Sequence, residues 1–172
     1  MLDRARTSCR ALSMPLCSFP TPIGECALAW EEDQLTGFRF LHRPDTQGSP
    51  PDWILLLIKR IQLHLVQGGD DFNDVPFAWQ SVSEFQRQIY HAALEIKSGQ
   101  TATYGDLARA IGQPPGASRA VGTALGQNPW PLLVPCHRFI GANGKMTGFS
   151  GHGGIQTKLK LLAIEGSELF AE

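Results

Sequence analysis

The segment Thr103-Tyr104-Gly105-Asp106-Leu107-Ala108-Arg109-Ala110-Ile111-Gly112-Gln113-Pro114-Pro115-Gly116-Ala117-Ser118-Arg119-Ala120-Val121-Gly122-Thr123-Ala124-Leu125 spells two short helices around a tight turn. Thr103 followed three residues later by Asp106 is a capping-box pattern and opens a helix over 106–111. Gly112 to Gly116, with Pro114 and Pro115 between, cannot continue it, and Ser118 starts a second helix through Leu125. Such a pair is a helix-turn-helix, a motif shared by many unrelated helical domains. On the second helix Ala120, Val121, Ala124 and Leu125 form an apolar face, whereas Arg119, Gly122, Thr123 and Gly126 form a small-residue face with one cation. A helix that reads bases in the major groove needs several Arg, Asn or Gln side chains. One arginine among small residues suits close approach to a minor groove. Packing against another helix explains the same face equally well.

Upstream, Phe85, Ile89, Ala93 and Ile96 recur at helical spacing over 84–97, and Gly99 stops the run. Downstream stands Asn128-Pro129-Trp130-Pro131-Leu132-Leu133-Val134-Pro135-Cys136-His137-Arg138. Leu132 to Val134 reads as a buried strand, and Pro135 fixes the backbone before a cysteine. A thiol becomes a nucleophile as its thiolate, which a base and nearby positive charge favour, and His137 and Arg138 follow at once. On an extended chain neighbouring side chains point oppositely, so His137 reaches Cys136 only through a water or a local twist. A buried, inert thiol fits the spacing as well.

The N-terminal half reads differently. Thr21-Pro22-Ile23-Gly24 is a turn, and 26–30 and 35–41 alternate as a hairpin joined by polar residues 31–34. The run from Asp52 to Ile61 is a largely buried helix that Asp52 caps and Gly68-Gly69 ends. His42 and His64 are read as surface or interface side chains.

Composition sets the outer limits. The 172 residues carry fifteen Lys+Arg against sixteen Asp+Glu, net −1, which excludes a histone-like protein that holds nucleic acid by bulk charge. The charge is unevenly spread: −3 over 1–80 and +2 over 81–172, where thirteen of the eighteen glycines also lie. The shift near 70–81 divides an N-terminal α/β domain (1–80) from a C-terminal domain (81–172), the half where a polyanion would be met. No apolar stretch approaches a membrane span, and no continuous apolar region follows Arg4, Arg6 and Arg10 as in a secretory signal. Cys9, Cys17, Cys26 and Cys136 form no C-x-x-C pair, so neither a disulfide framework nor a zinc site is expected. The composition is that of a soluble, cytoplasmic protein.

Several motifs in register resemble one family. Pro135-Cys136-His137-Arg138, Asn128-Pro129, Ser118-Arg119-Ala120-Val121-Gly122, Tyr104-Gly105-Asp106-Leu107-Ala108, Gly148-Phe149-Ser150-Gly151 and Leu161-Leu162-Ala163-Ile164-Glu165-Gly166 together are similar to the O6-alkylguanine-DNA alkyltransferases. The resemblance covers 84–166, with a weaker match around Thr21-Pro22-Ile23-Gly24. It implies an α+β fold: a ribonuclease-H-like N-terminal half with a small antiparallel sheet and helices, and a helical, winged helix-turn-helix-like C-terminal half bearing the reactive cysteine. It also implies a methylated-DNA–protein-cysteine S-methyltransferase. Such a protein flips O6-alkylguanine, mainly O6-methylguanine, out of double-stranded DNA and moves the alkyl group irreversibly onto its own cysteine.

By the same resemblance Cys136 is the acceptor. His137 is its base through a water, Glu165 orients His137, and Asn128 holds the preceding turn. Arg119 fills the vacated stack, Tyr104 contacts the phosphate backbone, and Thr123 and Ala120 lie against DNA. Val134, Ser150, Phe149 and Tyr104 line the base pocket. No metal, cofactor, membrane or obligate protein partner is implied, and a monomer suffices. Three positions depart from the pattern: Phe149 stands for a frequent tyrosine, Gly126 for a basic residue of some members, and Trp130 for a smaller apolar one. A lesion binder without transfer lacks the cysteine that Cys136 supplies. A helix-turn-helix regulator needs a sequence-reading helix that 119–126 does not provide. A cysteine hydrolase fits adjacent Cys and His poorly.

Overall fold

The computed structural model describes residues 14–146 and 153–167. Strands β1 (Leu16–Thr21), β2 (Gly24–Glu31) and β3 (Gln34–Leu41) form an antiparallel sheet in that order, so the expected hairpin gains a third strand. Central β2 is buried on both faces. Cys26, Leu28 and Trp30 join the main core, while Ala27 and Ala29 pack with Leu16 in a smaller cluster.

Helix α1 (Asp52–Gln67) lays Ile54, Leu57, Ile58, Ile61, His64 and Leu65 into that core, the i, i+3, i+4, i+7 stripe of a one-sided helix. The segment expected to be largely buried is buried on one side only, since Leu55 and Leu56 are exposed, as are Leu63 and Val66 further along the helix. Nor does Asp52 cap the helix. Pro51 is the N-cap and Asp52 the first helical residue, where its carboxylate faces the positive end of the helix dipole.

Helix α2 (Glu84–Leu94) is opened by a Ser83–Gln86 capping box. Strand β4 (Ala102–Thr103) leads into α3 (Tyr104–Ala110), whose cap is the expected Thr103–Asp106 box. The helix begins at Tyr104 because the box counts from its N-cap, so Asp106 is already its third residue. Helix α4 (Ser118–Gly126) packs on α2 and α3.

The expected strand through Leu132 to Val134 is absent. The run is fully buried but folds as a tight turn, with Leu132 at φ 75° and Val134 N–H donating to the Trp130 carbonyl at 2.9 Å. Pro129, Pro131 and Pro135 have no N–H to give a sheet ladder. A 3₁₀ turn follows over Cys136–Arg138, and only then does β5 (Phe139–Ile140) pair, parallel, with β4. Helix α5 (Gly154–Ile164) completes the described chain. The fold is thus a mixed assembly of helices and small sheets, and one apolar cluster runs from Phe19 and Ile54 to Val121 and Leu161. Among the described residues no helix is long and apolar enough to cross a membrane.

Candidate functional site

Cys136 opens the 3₁₀ turn, so the chain is locally twisted here rather than extended. The residue is buried, 6% exposed. Burial pushes the thiol up from its ordinary value, against hydrogen bonding from Asn128 and the Leu132 backbone and the nearby Lys158 charge. Asn128 holds the turn that presents it: Nδ2 donates to the Val134 carbonyl at 2.9 Å, and Oδ1 accepts from Trp130 N–H at 2.9 Å. The same Val134 carbonyl accepts the Cys136 N–H at 2.7 Å, so Val134's backbone is engaged inside the turn.

His137 is wholly buried, and its Nε2 lies 2.9 Å from Glu165 Oε1, at the C-terminal end of α5. Burial would raise the Glu165 carboxyl. The His137 charge and hydrogen bonds from His137, His64 and Arg138 outweigh that and hold it well below the carboxylate range. An ionised carboxylate only accepts, so the His137 proton sits on Nε2. Nδ1 is left as a bare lone pair, buried and without a partner among the described residues. Burial also lowers the His137 pKa below its ordinary value, which Glu165 opposes without reversing, so the ring is neutral near pH 7. The result is a neutral base in the residue after a thiol.

Glu165 collects more donors than the sequence disclosed. Arg138, 1% exposed, donates Nε to Oε2 at 3.0 Å and Nη2 to Oε1 at 2.8 Å. Its Nη1 reaches the Ile96 carbonyl at 2.6 Å and Asp71 at 3.2 Å. His64, expected at a surface or an interface, is 2% exposed on the buried stripe of α1, at an internal contact with Nε2 3.0 Å from Glu165 Oε1. Lys158 was missed altogether. It is 1% exposed, donates to the Phe139 carbonyl and to Tyr104 Oη, and lies 5.8 Å from the centre of the Tyr104 ring. Its signal was present: Lys158, Leu161, Leu162 and Glu165 fall at i, i+3, i+4 and i+7 on one helical face.

The outer face of α4 exposes Arg119, Ala120, Thr123 and Gly126. Two assignments on this helix change. Ala120, expected on the apolar face, is exposed, while Gly122, expected on the small outer face, is half-buried and turned to Tyr104. A Cβ at Gly122 would sit 3.9 Å from the Tyr104 ring, an ordinary van der Waals contact, so this position faces α3 rather than the outer surface. Both open alternatives for the small face are therefore partly realised: Gly122 packs, and the remainder stays outward. A groove of about 610 Å³ beside it is lined by Phe85, Gln86, Arg119, Ala120 and Thr123, among others. Trp130 packs rather than lining the site. It is fully buried, donates Nε1 to the Leu35 carbonyl at 2.9 Å, and contacts Phe77, Trp79 and Tyr90. Phe149 and Ser150 lie outside the described residues. Among the described residues no group of three or more His, Cys, Asp or Glu is placed to hold a metal ion.

Comparison with known proteins agrees with this geometry. Residues 84–167 match a family model described as the 6-O-methylguanine DNA methyltransferase DNA-binding domain. A methylated-DNA–protein-cysteine methyltransferase of Mycolicibacterium paratuberculosis is 53% identical over 150 residues, covering 84% of this chain and 88% of the relative. One from Methanosarcina acetivorans is 40% identical over 154 residues, covering 87% and 96%. The crystal structure of Mycobacterium tuberculosis OGT in complex with DNA superposes with a TM-score of 0.73 at 35% identity, covering 87% of this chain and 92% of that one.

Proposed function

This chain belongs to the methylated-DNA–protein-cysteine methyltransferases, and from that premise we propose that it repairs O6-alkylguanine in double-stranded DNA by moving the alkyl group onto Cys136. The carrying observation is the bare, buried Nδ1 of neutral His137 beside the Cys136 turn, with Glu165 fixing the proton on Nε2. The Cys136 proton passes through a bridging water to His137 Nδ1, and the thiolate sulfur attacks the alkyl carbon. A carbon–sulfur bond forms as the carbon–O6 bond breaks. The released electron pair goes into the guanine ring, which leaves with a proton from solvent while Tyr104 hydrogen-bonds its O6 or N3. Glu165 stabilises the imidazolium until His137 returns its proton to solvent. The thioether product offers water no leaving group, so the chain reacts once.

Reaching the base requires flipping, which costs a few kcal/mol of stacking and pairing. The exposed Arg119 fills the vacated stack, with Ala120 and Thr123 against the minor groove. The resemblance assigns the rest of the base pocket to Tyr104, Val134, Phe149 and Ser150. The fold reading that goes with this activity is a ribonuclease-H-like N-terminal domain (1–80) and a winged helix-turn-helix-like C-terminal domain (81–172). The protein acts as an intracellular monomer without cofactor or metal.

The test is the intact mass after incubation with a duplex containing O6-methylguanine. A single methyl adduct on Cys136, with repair ending at about one equivalent of DNA, is expected. Sustained turnover, or tight binding with no adduct, overturns the reading.

A further inference from the structure

His64 lies outside the motifs that carry the resemblance, yet it reaches across 101 residues of sequence to the centre of the site. Its two ring nitrogens have different partners. Asp70 N–H donates to Nδ1 at 3.1 Å, so Nδ1 is an acceptor and carries no proton. In the neutral ring the proton therefore sits on Nε2, aimed at Glu165 Oε1 3.0 Å away. Nδ1 is held in place from outside: the Asp70 carboxylate also accepts Phe72 N–H at 2.9 Å and pairs with Arg60 at 2.8 and 2.9 Å, and the ring packs edge-on against Phe72.

The oxygen that His64 addresses is the one His137 uses. Oε1 faces His137 Nε2, His64 Nε2 and Arg138 Nη2, whereas among the described residues Oε2 takes Arg138 Nε alone. Each donor drains charge from that oxygen and fixes its direction. From the function proposed above we infer that His64 is a positioning residue for alkyl transfer: its Nε2–H, set by the Asp70 amide, orients Glu165 and moderates how strongly that carboxylate holds the His137 proton. A purely structural histidine would need only to fill space and satisfy its nitrogens.

The two halves of the ring can be removed separately. Asn places an acceptor near Nδ1 and abandons the donor to Glu165, while Gln places a donor near Nε2 and abandons the acceptor. Without the donor, Oε1 carries more negative charge toward His137 and stabilises the imidazolium, so the base loses its proton at higher pH. The charged and titratable groups around this oxygen are His137, Arg138 and His64 directly. Asp70 with Arg60, and Asp71 with Lys97 and Arg138, lie behind them, and Lys158 stands toward Cys136. Only His64 differs between the variants.

The experiment follows single-turnover transfer from free O6-benzylguanine by intact mass, from pH 4.5 to 8.5, for wild type, H64N and H64Q. The acid limb of H64N is expected to move up by about half a pH unit, roughly a threefold loss on that limb, with H64Q restoring the wild-type limb. Identical limbs in all three proteins, or a displaced limb in H64Q alone, overturn the inference. Nitrogen-15 NMR of the wild-type imidazoles gives a second measurement, independent of variant folding. His64 protonated on Nε2 and bare on Nδ1 is expected, and a proton on Nδ1 overturns the inference. A wild-type protein that gains no adduct sinks the proposed function itself, which separates the two failures.

Discussion

Glu165→Gln separates what the buried carboxylate does for stability from what it does for reaction. The carboxylate is fully buried, and its charge offsets a guanidinium that is 1% exposed. An amide retains an oxygen for the three donors at Oε1, so the His137 tautomer survives, but its NH₂ then meets Arg138 Nε–H, donor against donor. Leaving a buried cation without its partner costs about 3–5 kcal/mol. Asp71 relieves part of this, since it also holds Arg138 Nη1 and is 26% exposed. Transfer suffers for another reason: the imidazolium formed at His137 loses its counter-charge, and general base catalysis is worth roughly 10²- to 10⁴-fold.

The two losses come apart in Glu165→Gln/Arg138→Met, which removes the stranded cation together with the carboxylate charge. Urea denaturation should show the double variant recovering about 1–3 kcal/mol relative to the sum of the single changes. Transfer to Cys136, followed by intact mass, should remain depressed to the degree seen in Glu165→Gln. If the double variant regains transfer along with stability, Glu165 acts only by holding the fold and the relay is wrong. If Glu165→Gln alone leaves stability unchanged, the charge balance argued for this cluster is wrong.

Three further outcomes follow from individual side chains. In wild type, transfer from O6-benzylguanine should reach half its maximum below the ordinary histidine value of about 6.5, because burial depresses His137 and only the neutral ring accepts the thiol proton; a limb at or above that value contradicts the assignment. Lys158→Met removes the cation whose charge pulls the Cys136 thiol down, so alkylation of that thiol by a small electrophile should need higher pH, and an unchanged profile contradicts the contact. Arg119→Ala, on the exposed face of α4, should slow transfer from duplex more than from the free base, and equal effects on both would remove its role in flipping.

What could be read from the chain was whatever local chemistry determines. The Thr103–Asp106 cap, the Gly68 stop and the apolar stripe of α2 are fixed within a few residues, and the structure repeats them. Leu132 to Val134 went wrong because apolar content reports burial and not conformation; the flanking prolines, which have no N–H for a ladder, were the better guide. Adjacent Cys136 and His137 stand out in the sequence, but the 3₁₀ turn that relates them is held by the Asn128 bonds, six residues away from the carbonyl they hold. Lys158 was legible in principle, as a cation on the Leu161–Leu162 face, and was passed over because it sits among polar neighbours. His64 was not legible. One histidine on an amphipathic helix carries no sign of a carboxylate 101 residues further along.

That last contact bears on how the two halves cooperate. Every residue implicated by resemblance in the C-terminal motifs lies beyond position 84, which invites a picture of a DNA-binding module with a dispensable partner. The polar cluster at Glu165 argues otherwise. Of the side chains that converge on it, His137 and Arg138 come from the acceptor turn, but His64 comes from α1, and Asp71, which shares Arg138, comes from the loop after it. A buried carboxylate holds its ionised form only while its donors are in place. Removing the N-terminal half would take away one hydrogen bond to Glu165 and one carboxylate from Arg138, and would open to water the core on which α1 and α5 meet. Glu165 would then be held by the acceptor turn alone, and His137 would no longer be shielded from bulk solvent. The half that carries no reactive group is therefore part of what makes the other half reactive.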